Sequence, residues 1–574
     1  MRLRQHLPSG PVPAVLLLTA CGLPYVPGKP EGTSGGAGPE VEDSAVVDDT
    51  AEAEEVEVRV ALEAPRLLRR LSLDLRGTLP PVHALDAVEA DPDAWRSWRD
   101  AWLEEPALED TLVMLLAEQW HTRIDEFLIF YLEYGAINHD PEVEYAFERS
   151  VGEEPLRLAA RIVVEDRPWT EVVTADHTMA NPLLASIWPI DHPGGEGWQP
   201  STYTDGRPAA GILSTNGLWW RYYTTVTNYN RGRVAAITRT MVCDDFASRS
   251  VSFDDAEALA AGADAEEALR TSPSCMSCHQ VVDPIAVTLF GFWSANEYNV
   301  DEVDHYHPER EDLGAEVLGL EANWYGDPVY GLNELGRHIA ADRRFSTCAV
   351  KTFAKALWRR DAEDTDADII AELDASFLAS DHRVRPLLSE LTETLAYQVG
   401  SFEAGATEAQ MAPHNELRML RPDQLARAVE QLTGFSWTWK GYDQLDNDTL
   451  GFRIMAGGVD GAEVTQPQHA PSLTSLLVLQ RLAEGAANHV VDAELLHGED
   501  TVLDGIFADT RPGDGFFEDK VRDLHWRLYA VRADDDWVEA ISALWWAVHE
   551  TDGSRSAWEA VLSAMLQDPL FVGY

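Results

Sequence analysis

The sequence predicts a mainly α-helical, multi-domain protein, and three observations carry that prediction. Apolar residues recur at helical spacing wherever a period is clear. Strand-like alternation is scarce, and Gly/Pro breaks at 180–212, 300–330 and 440–472 separate the helical runs. The chain of 574 residues is too long for one compact core, while 45% hydrophobic and 9% aromatic content suffices to fill several.

The first element is an address. Arg2 and Arg4 precede "VPAVLLLTA", an apolar run too short to span a bilayer. The run ends in "LLTAC", which resembles the lipobox of bacterial lipoproteins and implies a signal segment over 1–21 whose cleavage leaves a lipidated Cys21 as the first residue. Gly22, where an Asp would retain such proteins at the inner membrane, points to the outer membrane. An ordinary signal peptide with a chance cysteine is the alternative. Residues 22–55, rich in Gly, Pro and acid without periodicity, read as a flexible tether. An anchored protein working in the oxidising envelope space follows.

The remainder divides into a helical domain over 56–200, a module over 201–361 and helical domains over 362–574. In "RVAAITRTMVC", Val234, Ile237, Met241 and Val242 share one face and deliver Cys243 at its end. In "CAVKTFAKALW", Val350, Phe353, Ala354, Leu357 and Trp358 do the same just after Cys348. "SAWEAVLSAML" repeats the pattern with Trp558, Val561, Leu562 and Met565. A net charge of −54 excludes nucleic acid as a partner and fits a very soluble surface, or one that meets cations.

Five cysteines are present, at 21, 243, 275, 278 and 348. Cys275-Met276-Ser277-Cys278-His279 has the spacing that attaches c-type haem: two thiols add across the vinyl groups and the adjacent imidazole ligates iron. Zinc would need further ligands, and a thioredoxin-like pair would need a βαβ context. Both remain as alternatives. With Cys21 assigned to lipid, Cys243 and Cys348 are left, and export favours their disulfide. Two separate buried thiols are the alternative.

Several segments resemble planctomycete-type cytochrome c-like proteins that carry domains of unknown function. "RLLRRLSLDLRGTLPPVHALDAVEADPDAW" (66–95) has the paired arginines Arg69-Arg70, then Leu73-Asp74-Leu75, Gly77 and Pro80-Pro81. "AEQWHTRI" (117–124) sits where that family has a helix bearing Trp and His. Arg167-Pro168, Thr174-Ala175-Asp176 and Asn181 match a second segment. "RPAAGILSTNGLW" with "NRGRVAAITRTMVC" matches a third. Cys275, Cys278, His279, Asp283 and Pro284, then "NELGRHIAADRRFSTCAVKTFAKALWRRD" (333–361), continue it. "RMLRPDQLARAVEQLTG" and the chain's ending resemble it less closely. The resemblance implies a cytochrome c-like module embedded among helical domains, with haem c as cofactor. It implies no substrate.

The sixth iron ligand is open. Met455, in the Gly-rich "FRIMAGGVDG", is the weak candidate. His305 and His307 lie in "DEVDHYHPER", which reads as solvated surface, and Met241 reads as core. Asp283 before Pro284 reads first as the cap of a helix beginning near Ile285, and second as a partner for His279 Nδ1. Asp443, Asp446 and Asp448 weakly suggest Ca²⁺ without an EF-hand pattern. Trp437 and Trp439 could stack a polysaccharide, though buried aromatics explain them better. No motif for hydrolysis or phosphate binding is visible. The expectation is a haem-carrying envelope lipoprotein that passes one electron at a time to a partner protein. A haem-free scaffold and an envelope enzyme of another kind are the rivals.

Overall fold

The computed structural model describes residues 58–123, 134–137, 140–249, 268–269, 271–294, 299–411, 418–439, 441–446, 450–507 and 509–574. Cys21, the tether and Asp448 lie outside them. Helix accounts for 62% of the structure and strand for 6%, so the mainly α prediction holds. Strands fall mostly inside the predicted breaks and stay short. β1 (Arg59–Ala61) pairs antiparallel with β7 (Val399–Phe402). β2 (Thr178–Ala180), β4 (Gln199–Tyr203) and β3 (Ile190–Asp191) form a three-stranded antiparallel sheet. Two hairpins complete the set, β5–β6 (Asn323–Trp324, Asp327–Pro328) and β8–β9 (Thr438–Trp439, Tyr442–Asp443).

Val58–Tyr574 forms one compact unit built on two principal hydrophobic cores. The first core takes residues from 67 to 397, with Trp526 and Ala530. It therefore runs through residues 200 and 361. The second takes Leu73 and Leu79, and then residues from 420 to the C-terminal Tyr574.

α1 (Ala64–Arg76) is shared by both. Leu67, Leu68, Leu71 and Leu75 enter the first core and Leu73 enters the second. Gly77 ends the helix at φ 69°, a left-handed position that favours glycine. Between its apolar residues α1 carries three charged side chains buried to within 1% exposure, Arg69, Arg70 and Asp74. Arg69 donates from Nε, Nη1 and Nη2 to the carbonyls of Leu528, Gly573 and Phe571. Arg70 donates to the carbonyls of Tyr397, Val399 and Tyr574. Asp74 accepts from the Tyr397 and Tyr574 hydroxyls. Arg418 adds bonds to the carbonyls of Leu357, Ala396 and Tyr397. The paired arginines and the "LDL" of the sequence are thus a structural hub. They fasten the first helix to the chain end, whose carbonyls would otherwise be buried without donors.

Around α1 pack α2 (Val82–Ala90), α3 (Trp95–Trp102) and α4 (Ala107–Trp120), and the long α5 (Pro141–Val164) packs against α4. Gly211 holds φ 56° against the Val172 carbonyl, where a Cβ would lie 2.2 Å from the oxygen; no other residue fits there. α6 (Arg231–Val242) buries Val234, Ile237, Met241 and Val242, each at 3% exposure or less, as its spacing predicts. α7 (Pro273–Val287) packs on α6. α8 (Leu332–Ala341) leads into α9 (Arg343–Trp358), whose Val350, Phe353, Ala354, Leu357 and Trp358 are buried at 1% or less. α10 (Ala367–Ala379) and α11 (Val384–Glu393) close this core. α12 (Pro422–Thr433), α13 (Leu473–Asp492), α14 (Phe516–Tyr529) and α15 (Asp535–Leu566, interrupted at Gly553) build the second core. Trp558, Val561, Leu562 and Met565 lie within it at 2% exposure or less. Among the described residues no helix is long and apolar enough to cross a membrane.

Candidate functional site

Ser272 precedes α7 in an extended conformation and Pro273 opens the helix, where its fixed φ suits the first turn and its missing N–H costs nothing. Cys275, Cys278 and His279 then fall at i, i+3 and i+4, so both sulfurs and the imidazole project from one face. Both thiols are free, Cys275 at 9% exposure and Cys278 half-buried. Cys243 and Cys348, by contrast, are joined, with Cα atoms 5.3 Å apart across a sequence separation of 105. The pairing expected from cysteine accounting is therefore present.

One turn further along α7, Asp283 accepts a hydrogen bond from His279 Nδ1 at 2.9 Å. Arg231, the first residue of α6, grips the same carboxylate with Nε at 2.7 Å and Nη2 at 3.0 Å. Burial pushes the Asp283 carboxyl up. The bonds from His279 and Arg231, with the arginine's charge, outweigh burial and hold it below the ordinary range. An ionised Asp283 accepts only, so the proton sits on His279 Nδ1. Nε2 is then the nitrogen with a lone pair to offer a metal, and the carboxylate fixes the ring's tautomer.

The first reading of Asp283 is corrected here. No helix starts near Ile285, because α7 runs unbroken through Pro284 to Val287. Proline removes the bond to the carbonyl of Gln280, but that residue is exposed and water can reach it. Asp283 consequently sits mid-helix at i+4 from His279, which is the second reading. Arg231 carried no signal of its own in the sequence. Its place in the "NRGRV" segment was visible, its partner 52 residues away was not.

α6 is a strut of 12 residues, about 18 Å long. Its first residue holds Asp283 beneath His279. Its C-cap, Cys243 at φ 54°, is bolted to α9. Past the disulfide, Arg249 bonds Asp244 and reaches the Ser277 carbonyl between the two thiols at 3.3 Å.

Other expected site residues are not brought to this face. Met455 ends a short helix and packs against the second core, whereas α7 belongs to the first. Met241 is core. The loop around His305 and His307 is not solvated surface: Asp304 and Tyr306 within it are 3% and 4% exposed. His307 is engaged at both nitrogens, by Glu309 and the Glu302 carbonyl. Asp304 takes bonds from the Tyr134 hydroxyl and Trp220 Nε1, and burial raises its carboxyl to about 7. Asp443 Oδ1 caps its own turn through the N–H groups of Leu445 and Asp446. Asp446 is paired with Arg149 at 2.7 Å and Arg123 at 3.5 Å. Asp446 is thus committed to arginines, and among the described residues no three His, Cys, Asp or Glu converge for a metal ion. Trp437 packs on Phe452, while Trp439 is 42% exposed, so the two do not form one platform.

A feature the sequence did not reveal lies on the other face of α6, a cavity of about 760 Å³ walled by the end of α4, α6, α9 and the 465–469 loop. Cys275, Cys278 and His279 do not line it. His121 does, capping α4 at φ 54°. Burial, then Arg239 and Arg221, lower its imidazole to about 4. No protein-family profile, curated protein or solved structure matches this chain.

Proposed function

We propose that this chain carries covalent haem c on α7 and serves one-electron transfer in the cell envelope, anchored through Cys21. The observation that supports it is the shared face of Cys275, Cys278 and His279, with thiols left reduced beside an oxidised pair elsewhere. The donor set fits the group. Two thiols suit thioether bonds, and an imidazole held at Nδ1 by Asp283 presents Nε2. Bound haem would supply a one-electron couple at iron. Asp283 and Arg231 would orient the ring, and Arg249 would hold α7 at Ser277 between the two thiols.

The full chain expressed with a cytochrome c maturation system is expected to show a Soret band and a haem stain that survives denaturation. Cys278→Ser should abolish the covalent stain. A colourless full-length protein would sink the proposal and leave the haem-free scaffold.

A further inference from the structure

α6 has two faces of opposite character. Val234, Ile237, Met241 and Val242 face the core. Gly232, Ala235, Ala236, Arg239, Thr240 and Cys243, at i, i+3, i+4, i+7, i+8 and i+11, line the 760 Å³ cavity. Small residues there leave room, and the volume lies within the range of about 300–1,000 Å³ usual for small-molecule sites.

The charge of the lining is inverted relative to the chain. The protein has 44 Lys and Arg against 98 Asp and Glu. The cavity is lined by six cations, Arg221, Arg239, Lys351, Lys355, Arg359 and Arg360, and by three carboxylates, Glu118, Asp245 and Asp361. Arg359 pairs with Glu118, Arg360 with Asp366 and Lys355 with Asp361. Among the described residues no carboxylate pairs with the other three. Arg221 is positioned by the carbonyls of His121 and Gly461, and Arg239 by the Gln119 carbonyl and the Tyr222 hydroxyl. Lys351 is exposed. Lys351 and Lys355 also stand four residues apart on α9, an unfavourable spacing of like charge for a helix. In a chain with twice as many acids as bases, uncompensated cations around a cavity are unexplained by folding alone.

We infer that the cavity binds a small polyanion, a ligand with two or more phosphate, sulfate or carboxylate groups. Arg221 and Arg239, positioned from one side by neutral oxygens, offer rigid guanidinium edges suited to such oxyanions. Lys351, exposed and without a carboxylate partner among the described residues, adds a point charge. Burial is the main cause that lowers the His121 and His469 imidazoles, and neighbouring cations, Arg239 and Arg221 at His121 and Arg359 at His469, add to it. The inference is independent of haem attachment, since the haem-motif residues do not line the cavity.

The test is calorimetric titration of the full chain at low salt with three probes: pyrophosphate, a disulfated heparin disaccharide and tricarballylate. Saturable 1:1 binding of at least one, weakened by added NaCl, is expected, and the preferred probe names the oxyanion. Lys351→Glu and Arg239→Gln should each weaken it about tenfold or more, whereas Arg532→Gln, an exposed arginine paired with Glu89, should not. Lys351 is exposed, so its variant folds and keeps the test decisive. No binding of any probe, or equal binding by wild type and Lys351→Glu, would overturn the inference.

Discussion

The arginines of the α1 hub and those of the α6–α9 cavity differ in what surrounds them. Arg69 in the hub spends all three of its nitrogens on main-chain carbonyls, and Arg70 and Arg418, both fully buried, bond five more. Burial, then the charge of Arg418, draws Arg70 down to about 9, still protonated at neutral pH. Arg221 and Arg239 also use neutral oxygens, but only along one side, and the rest of each guanidinium borders the cavity. The difference teaches how to tell a structural cation from a recognition cation. The first saturates groups that folding would otherwise orphan, while the second is held in place with capacity left over.

The largest expected effect lies in the hub. Arg70→Ala would leave the carbonyls of Val399 and Tyr574 without the arginine's bonds, the Tyr397 carbonyl with Arg418 alone, and the Asp74 carboxylate short of a balancing charge. A loss of about 3–5 kcal/mol is expected, from the cost of breaking a buried polar network. A denaturant melt of Arg70→Ala beside Arg239→Ala checks it. If the cavity variant lost as much stability as the hub variant, the distinction between the two sets of arginines would collapse.

The disulfide comes next, because it lies beneath the cavity and at the far end of the strut from His279. Closing a loop of about this length contributes about 4–5 kcal/mol at most in the chain-entropy model, and engineered losses are often smaller. Cys243→Ser with Cys348→Ser should lower the melting temperature and loosen the Arg249 segment that reaches Ser277. Faster hydrogen exchange over 244–249 and the start of α7 than over α14 would localise the effect. A uniform change would mean that the staple acts only on the unfolded chain.

The limits of the sequence follow the same division between local and distant contacts. The faces of α6, α9 and α15 were legible because helical spacing alone sets them. So was the disulfide partner of Cys243. The helical face shared by Cys275, Cys278 and His279 was not, because Asp283-Pro284 read as the start of a helix that in fact begins at Pro273. The hub was visible only as a pattern, since Arg69 and Arg70 bond carbonyls up to 504 positions away. Pro284 suggested a boundary that the exposed Gln280 carbonyl made unnecessary. The cavity was hidden for a related reason. Its cations come from α6, α9 and the segment after β4, each of which reads separately as an ordinary solvated charge.

The smallest effect concerns protons and compares the cavity with the buried loop at Asp304. His121 binds its proton less readily folded, at about 4, than unfolded, at about 6.5. Its contribution to stability is therefore complete above pH 6.5 and declines as pH falls toward 4. Asp304 does the reverse: folded it titrates near 7, held up by burial against the bonds from Tyr134 and Trp220, and unfolded near 4. Its contribution is present at pH 4 and is lost as pH rises toward 7. Each group can tilt stability by at most about 1.4 kcal/mol per pH unit, and between pH 4 and 6.5 the two tilts oppose. Single variants should separate them. Relative to wild type, His121→Asn, which keeps a residue tolerant of the left-handed cap, should lose ground as pH rises. Asp304→Asn should gain ground over the same range. Melts of all three proteins at half-unit steps from pH 4 to 7.5 read both slopes. Parallel curves would show that neither group is perturbed. A flat difference for His121→Asn alone would show that burial and the nearby arginines do not lower that imidazole, while leaving the loop as described.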